Sequence, residues 1–332
     1  MDVLIIGAAG MLGRKLAQAL AVRPDLGGVP ISRLRLADVV VPPRPAGFGG
    51  AVTLAAVDLA QPGAAARLLA ERPGVIFHLA AVVSGEAEVD FAKGYAVNLD
   101  GTRALFEAIR RQNQACGYRP RLVFASSIAV FGAPFPEVIN DDYFTTPATS
   151  YGTQKAIVEL LLADYSRRGL LDGIALRLPT LCVRPGAPNR AASGFFSNIL
   201  REPLVGLPAV LPVGDTVRHW FASPRAAVGF LQHAAVLDTA DLGQRRSLTM
   251  PGLCASVAEE IEALRRVAGQ GAVDLIRVEP DPAIARIVAG WPENFDPARA
   301  RTLGFVADAS FDDIIAIHIA DDLAGRIGPA RA

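Results

Sequence analysis

The stretch Val3-Leu4-Ile5-Ile6-Gly7-Ala8-Ala9-Gly10-Met11-Leu12-Gly13 decides the fold. An aliphatic run of strand length meets glycines spaced GxxGxxG, and an amphipathic segment of helical length, Met11–Val22, follows. Gly7 permits a tight strand-to-helix turn. Gly10 lets the backbone come close to a pyrophosphate, and Gly13 lets the helix pack hard on the sheet. Met11 and Leu12 then stand at the helix start, where free N–H groups and a partial positive charge suit phosphate oxygens. Three glycines mean little by themselves; a strand before them and a helix after them supply the context.

Working outward, the same pattern repeats. Strands are expected at Asp2–Ile6, Arg33–Ala37, Val52–Val57, Val75–Leu79, Arg121–Ala125 and Gly173–Leu178, and helices at Met11–Val22, Pro62–Glu71, Glu88–Gln114 and Ser150–Arg168. Several strand segments are nearly continuous in Val, Ile, Leu, Phe and Ala, as in strands covered on both faces. Alternating strands and helices predict an α/β fold with a Rossmann-type doubly wound parallel sheet. Prolines and glycines crowd residues 179–224, and helical pieces follow at Val257–Ala268 and Phe311–Leu323. The expected organisation is a dinucleotide-binding domain over 1–178, with segments near 220–250 returning to it. A smaller, irregular substrate-binding region covers 179–332.

The 33 basic side chains balance 33 acidic ones, so no basic excess points to nucleic acid or an anionic membrane. With 51% hydrophobic residues the chain buries a core rather than staying disordered. Cys116, Cys182 and Cys254 lie far apart without a CxxC pair, which fits a reducing compartment. No His, Asp or Glu cluster has metal-ligand spacing, so no metal is expected. The first residues include Asp2, lack a basic region and have their apolar run broken by glycines. The longest later apolar run, Leu204–Val213, contains Pro208 and Pro212. A soluble cytoplasmic protein is expected.

Asp38 ends the second strand, where a carboxylate accepts from adenosine ribose hydroxyls and repels a 2′-phosphate, favouring NAD over NADP. Arg33, Arg35 and Arg44 lie near in sequence and leave a 2′-phosphate ligand open. Asp58-Leu59 follows the third strand, where a carboxylate can meet the adenine amine. Tyr151 and Lys155 form a YxxxK, four residues apart on one helix face. An ammonium beside a phenol stabilises the phenolate and makes it a usable base near neutral pH. Ser126-Ser127 close the fifth strand, at the carboxyl edge where doubly wound sheets bind ligands.

Five motifs, GAAGMLG (7–13), HLAA (78–81), VNLDGT (97–102), SSIAVFG (126–132) and SYGTQK (150–155), appear in order over roughly the first 180 residues. In these the chain resembles the extended short-chain dehydrogenases/reductases, the NAD-dependent epimerase/dehydratase family. The resemblance implies that Tyr151 is the proton acceptor, Lys155 its partner and a nicotinamide-ribose ligand, and Ser127 the partner of the substrate oxygen. Ser127 is preferred to Ser126 because it precedes Val130 by three residues in the family's S-x-x-V-[YF]-G pattern. Ala80 and Ala81 would pass beside the dinucleotide, Asn98 would bridge the fourth strand and the site, and Pro179 to Cys182 would lie against the nicotinamide. A homodimer through helices near 94–114 and 150–168 is implied as well.

The family's 4,6-dehydratases carry Thr-Asp-Glu where this chain has Ser127-Ile128-Ala129, so water elimination lacks its acid and base. Finer matches at 77–88, 149–156, 160–169 and 176–189 resemble a small branch acting on the sugar acid D-erythronate. They imply NAD-dependent oxidation of its C2 hydroxyl to 2-dehydro-D-erythronate. A sugar-nucleotide 4-epimerase holding NAD through turnover is the alternative. An aldonate needs a cation and several polar groups, and arginine matches a carboxylate. Arg184, Ser84, Asn198 and Arg218 are the candidates, joined by Ser127 and Tyr151. His78, His219, His233 and His318 read as structural.

Overall fold

Seven parallel strands form the main sheet of the computed structural model, which describes residues 1–186 and 193–328. The end of the 176–189 motif and residues 329–332 lie outside the described residues. In chain order the strands are β1 (Asp2–Ile6), β2 (Arg33–Asp38), β3 (Ala51–Ala56), β4 (Val75–His78), β5 (Arg121–Ser127), β6 (Asp172–Leu178) and β7 (Ser247–Thr249). They lie side by side as β7-β6-β5-β4-β1-β2-β3. The order reverses at β1, which pairs Ile6 with Ala37 of β2 and His78 of β4. That reversal opens the crevice at the carboxyl ends where such sheets bind ligands.

Val3, Leu4, Ile5 and Ile6 are all buried, so both faces of β1 are covered, as the unbroken aliphatic run implies. On one face Leu4, Ile6, Ile76 and Phe124 pack with Leu105, Phe106 and Ile109 of α4 (Thr102–Cys116) and with Val158 and Leu162 of α5 (Ser150–Arg167). α1 (Met11–Val22) buries Leu16 and Leu20, and α2 (Ala64–Leu68) buries Ala65 and Leu68. The doubly wound α/β architecture expected from the sequence is the one the chain adopts. β7 has no counterpart among the predicted strands.

The single helix expected over Glu88–Gln114 is interrupted once, at Asp90 (φ −118°), and runs without a further interruption from Phe91 to Cys116. α3 (Ser84–Val89) ends at Asp90, whose side chain accepts from Lys93 N at 3.0 Å and starts a new turn. Residues 95–101 then widen into a π-helical turn before α4. Close packing flanks the π-helical stretch. A Cβ on Gly94 would come 2.9 Å from Gln154 Nε2, and one on Gly101 would come 3.2 Å from Leu59 O.

The chain divides into two compact units. The first comprises 1–130, 147–178 and 228–249; the second comprises 131–146, 179–227 and 250–332. The second unit has a three-stranded sheet of Thr180–Leu181, Arg218–Ala222 and Leu253–Ser256. Helices Gly194–Leu204, Val257–Ala268 and Phe311–Asp322 share a core with it that includes Phe196, Phe221, Leu264 and Ile314. Among the described residues no helix is long and apolar enough to cross a membrane.

Candidate active site

The glycine turn is built from backbone contacts that only glycine permits. Gly7 has φ +92°, and a Cβ there would lie 2.5 Å from Ala80 N, so the turn rests directly on the segment after β4. A Cβ on Gly13 would lie 2.2 Å from Gly7 O. Gly7 N and Ala8 N both donate to Ala37 O, at 2.8 and 3.1 Å. Asp38 Oδ2 accepts from Ala9 N at 2.9 Å, and its Oδ1 accepts from Val39 N at 2.7 Å. Gly10 starts α1 without a side-chain cap, and no acid lies in the first turn where Met11 and Leu12 sit. An uncapped, acid-free helix start fits a dinucleotide diphosphate.

The basic residues considered for a 2′-phosphate are engaged elsewhere. Arg35 pairs with Asp2 and Glu71, and Arg33 pairs with Glu71. Arg44 donates to Val52 O at 3.4 Å. The Asp58 carboxylate folds into its own loop and accepts from Ala60 N at 2.9 Å and Gln61 Nε2 at 3.1 Å. Leu59 is buried in the core shared with α4.

Thr149 caps α5 by accepting from Gly152 N at 3.0 Å, which places Tyr151 in the first turn and Lys155 one turn on. Gly152 lets this helix approach the loop after β5, since a Cβ would come 2.1 Å from Ala129 O. Lys155 is buried. Its ammonium donates to Ala125 O at 2.8 Å and lies 5.5 Å from the Tyr151 ring centroid and 4.6 Å from that of Phe124. Burial pulls its pKa down to about 7, against the opposing field of Glu159.

The two serines of β5 have different fates. Ser126 is buried and donates to Glu159 Oε1 at 2.5 Å. Ser127 is half-buried, and its oxygen accepts from Ala129 N at 3.1 Å. Asn98 faces inward from the π-helical turn, accepting from Val82 N at 2.8 Å and donating to Val82 O at 3.0 Å and Gln154 Oε1 at 2.7 Å. It thus ties the segment after β4, which carries Ala80 and Ala81, to α5. His78 bonds Thr102 Oγ1 at 2.8 Å, and burial lowers its pKa to about 3. Thr102 donates onward to Asn98 O, so the imidazole supplies the proton and stays neutral. Ser84 opens α3 and is half-buried.

Within the second unit, Pro179 and Cys182 are buried, and the Cys182 thiol bonds Phe196 O, with burial pushing its pKa well up. Arg184 donates from Nε to Leu181 O at 3.0 Å and from Nη2 to Ser193 Oγ at 2.6 Å. Asn198 accepts from Arg201 Nη2 at 2.8 Å. Arg218 is exposed, beside Cys254 and Glu259. His219 is buried, bonded to Thr180 Oγ1 at 2.7 Å and stacked on Phe196. Among the described residues no group of three or more His, Cys, Asp or Glu side chains is placed to hold a metal ion.

Sequence reasoning passed over three groups around this site: buried Gln154 and Glu159, and half-buried Arg177. Glu159 had a signal, a charge four residues after Lys155 on a face otherwise occupied by core residues. Arg177 and Gln154 had none, because their partners are remote in sequence.

The parallel sheet, its glycine turn and the Tyr151–Lys155 pair define a dinucleotide-dependent enzyme of the short-chain dehydrogenase/reductase type. The chain belongs to the NAD dependent epimerase/dehydratase family, whose model matches residues 3–234. It is 48% identical to D-erythronate dehydrogenase of Cupriavidus necator over 97% of this chain and 98% of that one. The D-erythronate dehydrogenase of Haemophilus influenzae is 41% identical, over 97% of this chain and all of that one. A solved structure described as the nucleoside-diphosphate-sugar epimerase from Agrobacterium tumefaciens superposes with a TM-score of 0.96 at 63% identity, covering 98% of this chain and 95% of that chain.

Proposed function

We propose that this chain is an NAD-dependent dehydrogenase that oxidises the C2 hydroxyl of D-erythronate to 2-dehydro-D-erythronate. The observation that carries the reading is the Tyr151–Lys155 pair, with a buried ammonium beside the phenol at the carboxyl end of β5. The two D-erythronate dehydrogenases, similar over nearly the whole chain, support the substrate.

Gly7, Gly10, Met11, Leu12 and Gly13 hold the diphosphate of NAD, Asp38 the adenosine ribose, and Asp58 with Leu59 flank the adenine. Ala80, Ala81, Asn98, Pro179 and Cys182 border the rest. Bound NAD supplies the hydride acceptor. Tyr151 takes the C2 hydroxyl proton, Lys155 stabilises the resulting charge and holds the nicotinamide ribose, and Ser127 orients the reacting oxygen. Ser127 is favoured over Ser126 because the Ser126 hydroxyl is already bonded to Glu159. Arg184 and Arg218 are proposed for the substrate carboxylate, with Ser84 and Asn198 for its hydroxyls.

A cytoplasmic homodimer working in carbohydrate metabolism completes the reading. Leu160, on the second helix expected to pair, is an exposed apolar side chain, and Val89 and Phe91 are exposed just before the first. The first unit acts as the dinucleotide-binding domain, and the second binds substrate.

Incubation with D-erythronate and NAD⁺ tests the proposal: free NADH accumulates in step with the 2-oxo acid. The epimerase alternative, favoured by the description of the Agrobacterium structure, requires NAD to stay bound and nucleotide sugars to interconvert without NADH release. That result would replace the dehydrogenase reading.

A further inference from the structure

Three side chains stand one helical turn apart along α5: Tyr151, Lys155 and Glu159. The third is 4% exposed, which is unusual for a carboxylate and requires partners. Arg177 of β6 supplies a fork, with Nε 3.1 Å from each Glu159 oxygen and Nη2 2.7 Å from Oε2. Ser126 of β5 supplies the remaining contact, 2.5 Å from Oε1. The carboxylate is therefore pinned by two different strands, beneath the same stretch of β5 whose Ala125 carbonyl receives the Lys155 ammonium.

We propose that Glu159, anchored by Arg177 and Ser126, is a positioning residue of the reaction, keeping the buried Lys155 ammonium charged and seated beside Tyr151. This rests on the dehydrogenase reading of the Tyr151–Lys155 pair. The physical need is plain. Lys155 is buried with its ammonium over the Phe124 ring of β5, surroundings that favour the neutral amine. His78 of β4 stays neutral and contributes no counter-charge. Tyr151 and Glu159 share the helix with Lys155, the groups on β5 are the Ala125 carbonyl and Ser126, and Arg177 on β6 faces Glu159. Glu159 is the carboxylate in this set, and its field acts to hold the proton on Lys155. A neutral amine would leave the phenolate without its partner.

The chain has three lysines, Lys15, Lys93 and Lys155, so lysine-selective labelling gives a spectrum simple enough to follow each one. The test is a ¹³Cε-lysine NMR titration of the full chain without substrate, run on the parent, E159Q, E159D and the charge-balanced E159Q/R177M. The double variant guards against misfolding from an unpaired Arg177. Loss of the carboxylate is expected to move the Lys155 midpoint down by about one pH unit while Lys15 and Lys93 stay in place, and E159D is expected to keep the parent value. The high-pH limb of kcat/KM for D-erythronate oxidation should shift down by the same amount in the folded variants. An unmoved Lys155 midpoint in folded E159Q or E159Q/R177M overturns the inference. Absence of oxidation in the parent would instead count against the dehydrogenase reading, and the NMR titration would still decide the role of Glu159.

Discussion

Asp38 grips the glycine turn: its Oδ2 accepts the Ala9 N–H at 2.9 Å, so the end of β2 and the loop after β1 are one hydrogen-bonded unit. The carboxylate therefore shapes the phosphate cradle in addition to its expected role at the ribose. Asp38→Ser removes both the brace and the charge. KM for NAD⁺ is expected to rise about tenfold or more, and the ratio of NADP⁺ to NAD⁺ use to increase. Initial rates with each coenzyme check this; an unchanged KM for NAD⁺ would separate Asp38 from coenzyme binding.

Tyr151→Phe removes the proton acceptor and leaves α5 in place. Turnover of D-erythronate should fall about 100- to 10,000-fold, while NAD⁺ binding measured by calorimetry stays close to the parent value. Turnover near the parent rate would take the base role from Tyr151.

The neighbouring serines give opposite expectations. Ser127→Ala should lower kcat roughly ten- to a hundredfold without altering the melting temperature. Ser126→Ala leaves Glu159 short of a buried partner, and its main effect is expected on thermal stability. Reversal of the two phenotypes would make Ser126 the substrate partner.

Gly13→Ala places a Cβ 2.2 Å from Gly7 O, a contact that neither backbone can relieve locally. A loss of about 1–3 kcal/mol is expected in urea unfolding, together with loss of NAD⁺ affinity. Gly10→Ala meets Gly7 O only at 3.4 Å, so its fold stability should be close to that of the parent. Equal destabilisation by both would argue against a turn organised around Gly13.

His78 and His219 are buried, and burial lowers the pKa of each to about 3 from an unfolded value near 6.5. Between those values the unfolded chain binds more protons than the folded one. Their contribution to stability is therefore fully present above about pH 6.5 and is lost as the pH falls toward 3. Unfolding free energies measured across this range should drop with acid, and His219→Gln should flatten the slope. An unchanged slope in that variant would mean His219 is not held neutral.

The elements that could be read from the chain were those whose cause is local. β1 is five residues of near-uniform apolarity, α5 begins after a Thr149 cap, and Tyr151 and Lys155 share a face by helical spacing alone. What escaped depends on distant partners. β7 is three residues long and exists through its pairing with β6. The π-helical stretch at 95–101 lies where Gly94 meets Gln154 and Gly101 meets Leu59, neighbours that are remote in sequence. Ser126 and Ser127 look alike until Glu159, 33 positions on, takes one of them. Arg184 stands out in the sequence as a cation after β6, whereas its bonds to Leu181 and Ser193 depend on loop geometry that no local pattern encodes.

Because Lys155 lies beneath the protein surface and Lys93 is exposed, amine-directed coupling to lysine would attach the molecule chiefly through Lys93, with the half-buried Lys15 as a secondary point. Surface immobilisation or dye conjugation by this route would leave the reactive lysine unmodified, so a tethered sample should retain its chemistry without any protecting ligand.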